Sequence, residues 1–133
     1  MAGTSALRND HNPAAQSPGM DSEATVGELR EIVARFIRER DWEKYHRPKD
    51  LAMAISIEAA ELMELFLWER DSGGAMPEEV AGKARDELAD IAIYCLSFAN
   101  AQGWDLSDAV KEKVRMNEAK YPAEKYRGVA RLG

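Results

Sequence analysis

Two stretches of the sequence each place a pair of carboxylates in a strongly apolar setting. The first pair is Glu58 and Glu61 in IEAAELMELFLWER, and the second is Glu87 and Asp90 in DELADIAIY. At about 100° per residue, this i, i+3 spacing puts both members of a pair on one face of an α-helix. If two such helices lie antiparallel, we expect four carboxylates to converge.

Four carboxylates in one cluster cannot all stay charged without compensation. Two like charges about 4 Å apart repel by about 4 kcal/mol at an effective dielectric of 20, so the cluster must hold protons or bind a cation. Ligands that are all oxygen favour a hard ion, Mg²⁺ or in its place Mn²⁺. A di-iron site would need Glu-x-x-His pairs, and the histidines of the chain, His11 and His46, lie elsewhere. The alternative is that each pair lies on a solvated helix face.

Three further residues are candidates because of their place near the first acid pair. Glu64 continues the series and could position a water molecule, or it could be an exposed glutamate at a subunit edge. Trp68 falls on the stripe of Glu58 and Glu61 in the helix predicted over 48–70, and Trp42 precedes that helix. Each tryptophan could stack on a nucleobase or could simply pack in the core.

Other polar residues could complete a ligand site. Tyr45 and His46 could contact a sugar or a base edge, although a histidine near a proline turn is more often a surface or capping residue. Tyr94 lies on the face of the second acid pair and could contact a ribose or serve packing only.

The last helical segment carries Lys113, Asn117 and Lys120, whose offsets of four and three place them on one face. Two cations and an amide suit a triphosphate tail, whereas isolated basic residues on a last helix usually face solvent.

The elements that must position these residues are four helices joined by short links. We predict the first from the capping box of Thr25 and Glu28 to residues 41–45, and the others over 48–70 and 77–101 and from a cap at Asp105 or Ser107 to Pro122. No strand pattern competes, so the predicted fold class is all-α, a four-helix bundle. The stripe expected to be buried in the first helix comprises Leu29, Ile32, Val33, Phe36 and Ile37.

The composition predicts one folded domain over residues 23–127, between flexible tails at 1–22 and 128–133. Apolar residues make up 45% of the 133 and charged residues 32%, and a chain this short often completes its burial in an oligomer. The net charge of −6 argues against nucleic acid or an anionic membrane as a partner. A single cysteine, Cys95, and the lack of an apolar stretch of about 18 residues predict a protein of the reducing cytoplasm.

The segments RDWEKYHRPKDLAMAISIEAAELMELFLW, DELADIAIY and NEAKYP resemble the MazG-like, all-α nucleotide pyrophosphohydrolases, and most closely their dCTP pyrophosphatase branch. The similarity covers about residues 28–122. It implies hydrolysis of a nucleoside triphosphate to a monophosphate and diphosphate. It also implies Mg²⁺ held by Glu58, Glu61, Glu87 and Asp90.

The same resemblance implies which residues bind the nucleotide. They match Trp42 to His46, Trp68 and Tyr94, and in the last helix Lys113, Asn117 and Lys120. A histidine of the dCTP branch aligns with Val33 here, which is a departure from strict dCTP recognition. Family members form dimers or tetramers whose active sites are completed between subunits.

The leading hypothesis is therefore a Mg²⁺-dependent pyrophosphohydrolase acting on dCTP or modified dCTP. One of the four acids, Glu58 and Glu61 first among them, or Glu64 would orient or deprotonate the attacking water, and the sequence does not choose among them. One alternative is the same chemistry on other (d)NTPs. Another is a helical oligomerisation or metal-binding module without catalysis.

Overall fold

The computed structural model describes residues 20–68 and 75–129. In these ranges the helices are α1 (Val26–Glu39), α2 (Pro48–Glu64), α3 (Glu78–Gln102), α4 (Leu106–Lys120) and the short α5 (Ala123–Tyr126), with a 3₁₀ turn (Glu43–Tyr45) before α2. These residues contain no strand, so the predicted all-α class is confirmed for this part of the chain. None of their helices is long and apolar enough to cross a membrane.

Local capping signals fix the beginning of α1. Glu28 N donates to Thr25 Oγ1 at 3.1 Å and Thr25 N donates to Glu28 Oε2 at 3.3 Å, which is the predicted capping box. The helix ends at Glu39, slightly before the expected end, because Asp41 adopts a left-handed conformation with φ of 53°. An ion pair of 2.9 Å between Lys44 Nζ and Asp41 Oδ2 spans this turn.

The second helix is shorter than the sequence suggested. It begins at Pro48 as predicted but ends at Glu64, and the prediction that it carries Trp68 in helical register is wrong. The backbone N–H groups of residues 65–67 each donate to the carbonyl three residues earlier, so the chain tightens after Glu64. The expected end at Arg70 lies outside the described residues.

The last two long helices lie within two residues of their predicted ends, α3 over Glu78–Gln102 and α4 over Leu106–Lys120. Gly103 ends α3 in a left-handed conformation with φ of 67°, and Asp105 caps α4 by accepting a 2.8 Å hydrogen bond from Asp108 N. The first helical residue of α3 is Glu78, with Pro77 as the flanking residue. The helix α5 was not predicted.

The core lies where α1 and α2 pack on α3. Its buried residues are Val33, Ile37, Leu51, Ala84, Ser97 and Ala99. Two hydrogen bonds join α1 to α3, because Arg30 Nε donates to Asn100 Oδ1 at 2.8 Å and Asn100 Nδ2 donates to the Arg30 carbonyl at 3.1 Å. The side chain of Asn100 is therefore engaged in holding the two helices together.

Two of the five residues in the apolar stripe predicted for α1 are buried in the subunit. Val33 and Ile37 face α3, whereas Leu29, Ile32 and Phe36 are exposed. The helix α4 contributes no buried residue at all. The amphipathic pattern of a helix predicts which of its faces is apolar, but it does not predict which other element covers that face.

The predicted tails fall largely beyond these ranges. Residues 1–19 and 130–133 lie outside the described residues, and residues 20–24 form a turn in which Glu23 N and Ala24 N donate to the Met20 carbonyl.

Candidate metal centre

Where α2 meets α3, the side chains of Glu58, Glu61 and Glu87 come together. Each offers a carboxylate oxygen that lies within 4.8 Å of an oxygen of the other two. This grouping follows from local structure, because the i, i+3 spacing puts Glu58 and Glu61 on one face of α2 and the packing of the helices brings that face to Glu87. We call these three residues the acid group.

Asp90, the fourth acid expected at this site, stands one turn further along α3. It is exposed and is not part of the acid group, but its negative charge acts on both Glu58 and Glu87.

Burial and mutual repulsion make the acid group reluctant to ionise fully. Burial, hydrogen bonds with Glu61 and Glu87 and the negative charges of Glu61 and Asp90 raise the pKa of Glu58 to about 7. Burial and the charges of Glu61 and Asp90 also raise the pKa of Glu87, which a hydrogen bond to Glu58 partly offsets. The group therefore holds a proton near neutral pH unless another positive charge replaces it.

Two oxygens of the acid group are buried without a donor. They are Oε2 of Glu58 and Oε2 of Glu87. Ionised carboxylates only accept hydrogen bonds, so their carboxylate neighbours can satisfy these oxygens only by sharing a proton. A cation would satisfy them directly, and a set of oxygen ligands suits a hard divalent ion. The residues present thus fit a site for such an ion.

The remaining acid and the tyrosine flank this group. Glu64 is the last residue of α2 and is exposed, while Tyr94 is half-buried on α3, one turn beyond Asp90.

The two candidate tryptophans are both accessible. Trp68 is 93% exposed, so in the subunit it is not a core residue. The Trp42 ring meets Phe36 edge-on, with 5.8 Å between centroids and 73° between planes, and the Arg40 guanidinium lies 3.6 Å from the Phe36 centroid. These contacts orient Trp42 while leaving it exposed.

The residues after Trp42 border a cavity of about 420 Å³ between α1, the 3₁₀ turn and α3. Its wall includes Ile37, Arg38, Glu43, His46, Ser97 and Asn100. Burial lowers the pKa of His46, an effect that the charge of Glu43 partly offsets, so the imidazole is neutral at pH 7. Tyr45 is exposed, with Lys44 Nζ 5.4 Å from its ring centroid.

The fourth-helix candidates share one exposed face of α4. Lys113, Asn117 and Lys120 are all solvent-accessible, and Lys120 Nζ lies 5.2 Å from the ring centroid of Tyr121. Because α4 contributes no buried residue, the subunit itself leaves these groups free to approach a ligand or another chain.

Sequence reasoning missed the cavity residues Ser97 and Asn100. A signal for Ser97 was present, since it lies seven residues after Asp90 and so on the same face of α3.

Comparison with known proteins places the chain in a family. A model of the MazG-like family matches residues 53–131, and the chain belongs to this family. The resemblance seen in the acid pairs is thereby confirmed.

The chain is also similar to individual proteins whose activity is named. The chain is 35% identical over 124 residues to dCTP pyrophosphatase 1 of Mus musculus, a match that covers 91% of this chain and 73% of the relative. It is 36% identical over 137 residues to dCTP pyrophosphatase 1 of Rattus norvegicus, covering 98% and 80%. A solved structure of a pyrophosphatase from Archaeoglobus fulgidus superposes with a TM-score of 0.65 and 43% identity, covering 72% of this chain and 91% of that one.

Proposed function

We propose that this protein is a Mg²⁺-dependent nucleoside triphosphate pyrophosphohydrolase that converts dCTP or a modified dCTP to the monophosphate and diphosphate, removing it from the nucleotide pool. The similarity to dCTP pyrophosphatases supports the substrate class. The observation that carries the chemistry is the pair of buried oxygens on Glu58 and Glu87 that have no donor. A cation at this place satisfies them.

In this proposal the ion is held by Glu58, Glu61, Glu87 and Asp90, with Mn²⁺ as a possible substitute for Mg²⁺. When bound, it supplies positive charge that neutralises the phosphate oxygens as negative charge develops on them.

The reaction requires water to attack the α-phosphorus. A new P–O bond forms, the bond from the α-phosphorus to the bridging oxygen breaks, and diphosphate leaves with that oxygen. A carboxylate receives the proton of the water. We assign the orienting of this water to Glu64, since it lies outside the acid group at the exposed end of α2. Glu58 and Glu61 are the alternatives for this task.

The nucleotide would be held on both sides of the acid group. Trp42 and Trp68 supply aromatic faces for the base, and Tyr45, His46 and Tyr94 supply polar edges for base and sugar. Lys113, Asn117 and Lys120 provide the charges and amide for the triphosphate tail.

This arrangement needs a homo-oligomer, either a dimer or a tetramer. Leu29, Ile32 and Phe36 form an exposed apolar stripe on α1, and Val110 and Val114 add exposed apolar surface on α4. Burying such surface against a second copy stabilises an assembly by about 25 cal/mol per Å². We propose that the helical bundle is completed in this way and that α4 serves a site shared between subunits.

Other (d)NTPs are a second candidate for the substrate. Val33, where the dCTP branch has a histidine, is buried at 9% exposure and offers no hydrogen-bonding group to a base.

The test is a panel of nucleoside triphosphates with and without Mg²⁺, using substrate labelled at the α-phosphate. We expect labelled monophosphate and unlabelled diphosphate, with dCTP or a modified dCTP preferred. Release of orthophosphate and a nucleoside diphosphate would contradict the proposed bond cleavage. A lack of turnover on every triphosphate would favour the non-catalytic module.

The acid group itself can be tested with Glu61→Gln. This change keeps the shape of an exposed side chain and removes a charge from the group, so we expect kcat to fall by at least about 100-fold while helicity is unchanged. The matched control is Glu79→Gln in the first turn of α3, where the exposed glutamate forms a 3.8 Å ion pair with Lys83. A near-normal rate for Glu61→Gln would refute the metal assignment.

A further inference from the structure

The helix α2 is apolar on two sides, and the subunit covers one of them. The inner side, with the buried Leu51 and the half-buried Glu58, packs on α3. On the side that turns away from α3, Met53, Ile57 and Met63 are 52%, 55% and 59% exposed. A helix that is apolar all round is normally covered all round, so this side is a surface that another helix can cover. We call it the outer face, and its exposed residues are Lys49, Ala52, Met53, Ser56, Ile57, Ala60, Met63 and Glu64.

The outer face has relief, because rows of small and large side chains lie next to each other along it. A groove of about 410 Å³ is lined by the small Ala52 and Ser56 and by the larger Lys49, Met53 and Ile57. The hydroxyl of Ser56 donates to the Ala52 carbonyl at 3.1 Å, so its donor is already satisfied within the helix. Large side chains of another helix can therefore pack into this groove without leaving that hydroxyl unpaired.

Two copies of the outer face are complementary in shape when they pack antiparallel, with a two-fold axis at the level of residues 56 and 57. The two Ser56 side chains then face each other at the centre, where their small size lets the helices approach closely. Met53 of one copy faces Ala60 of the other. Further from the centre, Met63 faces Ala52. Large side chains thus oppose small ones, and the two-fold axis repeats the same fit at both ends of the contact.

The charges at the two ends of the outer face are complementary in the same arrangement. Lys49 lies at one end and Glu64 at the other, and within residues 20–68 and 75–129 neither side chain forms an ion pair. Antiparallel packing brings Lys49 of each copy toward Glu64 of the other. Parallel packing would place like charges together, so the charges favour the antiparallel arrangement.

We propose that the outer face of α2 binds the outer face of a second copy of this chain, with the two helices antiparallel and centred on Ser56. This contact is separate from the exposed stripe on α1, because it lies on another helix. It does not rest on the proposed function, since it forms whether or not the protein hydrolyses a nucleotide. Its consequence for the acid group is that the helix carrying Glu58 and Glu61 is covered on both sides.

Cysteine crosslinking of the full-length protein tests this arrangement. Cys95 is first replaced by alanine, so that only introduced thiols react with a mild oxidant. Ser56→Cys should form a disulfide-linked dimer, because helix axes about 8–10 Å apart bring facing Cα atoms within the roughly 4.4–6.8 Å that a disulfide spans. Lys49→Cys is the matched control, since the two copies of residue 49 would lie about 22 Å apart along the axes. We expect Ser56→Cys to link at least about tenfold faster, because its thiols are held together.

Two further variants test the register and the choice of helix. Lys49→Cys and Glu64→Cys should each fail to link alone, whereas the two changes in one chain should link it to a second copy, because antiparallel packing brings these positions together. Ser56→Cys combined with Ile32→Glu should still link, because the stripe on α1 takes no part in this contact.

Each result decides the question. Self-linking of Lys49→Cys at the rate of Ser56→Cys would overturn the proposal and indicate parallel packing or random collision. The absence of a link in Ser56→Cys would overturn it as well and indicate that a different segment or protein covers the outer face. Loss of the link in the Ile32→Glu background would show that the stripe on α1 joins the subunits instead. Should Cys95→Ala lower helicity, the same links are measured with Cys95 in place and the unaltered protein as the baseline.

Discussion

Glu58 links the chemistry of the site to the stability of the fold. Its pKa is raised from 4.5 to about 7 by burial and by the neighbouring carboxylates. Between these values the folded chain binds more protons than the unfolded chain, so the free energy of unfolding of the metal-free protein falls as pH rises. Above about pH 7 the charged carboxylate remains a cost unless a cation compensates it.

We therefore expect Glu58→Gln to remove the part of the pH dependence of stability that Glu58 causes. In EDTA the variant should have a higher Tm than the unaltered protein at pH 8 and a similar Tm at pH 5, because the amide carries no charge at either pH. Thermal unfolding at the two pH values measures this.

The comparison between variants is needed because His46 acts in the opposite direction. Its pKa is lowered, so it makes the fold more stable as pH rises through the range below 6.5. Subtracting the Tm of Glu58→Gln from the Tm of the unaltered protein at each pH cancels the contribution of His46. Parallel profiles for the two proteins would show that Glu58 does not hold its proton as described.

Among individual residues, the sequence indicates the members of the acid group more clearly than the residues that line the cavity. The i, i+3 spacing in an apolar setting is a local pattern, and it is sufficient to single out Glu58, Glu61 and Glu87 as candidate ligands. The unpartnered hydroxyl of Ser97 arises only when α1 packs over α3, and no local pattern encodes that contact.

Among the elements, α3 carries a matched pair of glycines with opposite demands. Gly103 ends the helix at φ of 67°, whereas Gly82 lies within it, and a Cβ at either position would meet no atom within 4 Å. We expect Gly103→Ala to destabilise the protein by about 1–2 kcal/mol, since only the left-handed backbone opposes the added methyl group.

Gly82→Ala serves as the control and should stabilise the protein by about 0.5–1 kcal/mol, because alanine is the better helix former. Urea unfolding at a fixed protein concentration compares the two. If both changes shifted stability in the same direction, the positive φ would not be what requires glycine at the end of α3.

The ends of the helices show where sequence signals suffice. Thr25, Gly103 and Asp105 act through caps made by neighbouring residues, so their positions could be predicted. The end of α2 at Glu64 could not, because no glycine or proline marks the tight turn at residues 65–67.

For the whole molecule, the exposed stripe on α1 makes a testable surface. Ile32 is 56% exposed, and its neighbours on the stripe, Leu29 and Phe36, are also apolar and exposed. We expect Ile32→Glu to reduce the assembly to smaller species, since a buried charge would lose its hydration at the interface. Sedimentation equilibrium over a range of concentrations measures the change.

Met20→Glu is the control, because Met20 is 52% exposed but precedes α1 and lies off the stripe. It should leave the molecular mass unchanged. An Ile32→Glu protein with the mass of the unaltered one would show that another surface joins the subunits. The periodicity of α1 predicted an apolar face but could not tell which of its residues the subunit buries and which it leaves exposed.

The lack of any buried residue on α4 has a consequence for when the protein works. If the lysines of α4 contact a triphosphate that is bound at the acid group of another copy, a newly synthesised monomer is inactive until it associates with a second copy. Activity per subunit then rises with the concentration of the protein, because hydrolysis begins when two subunits associate and needs no separate effector.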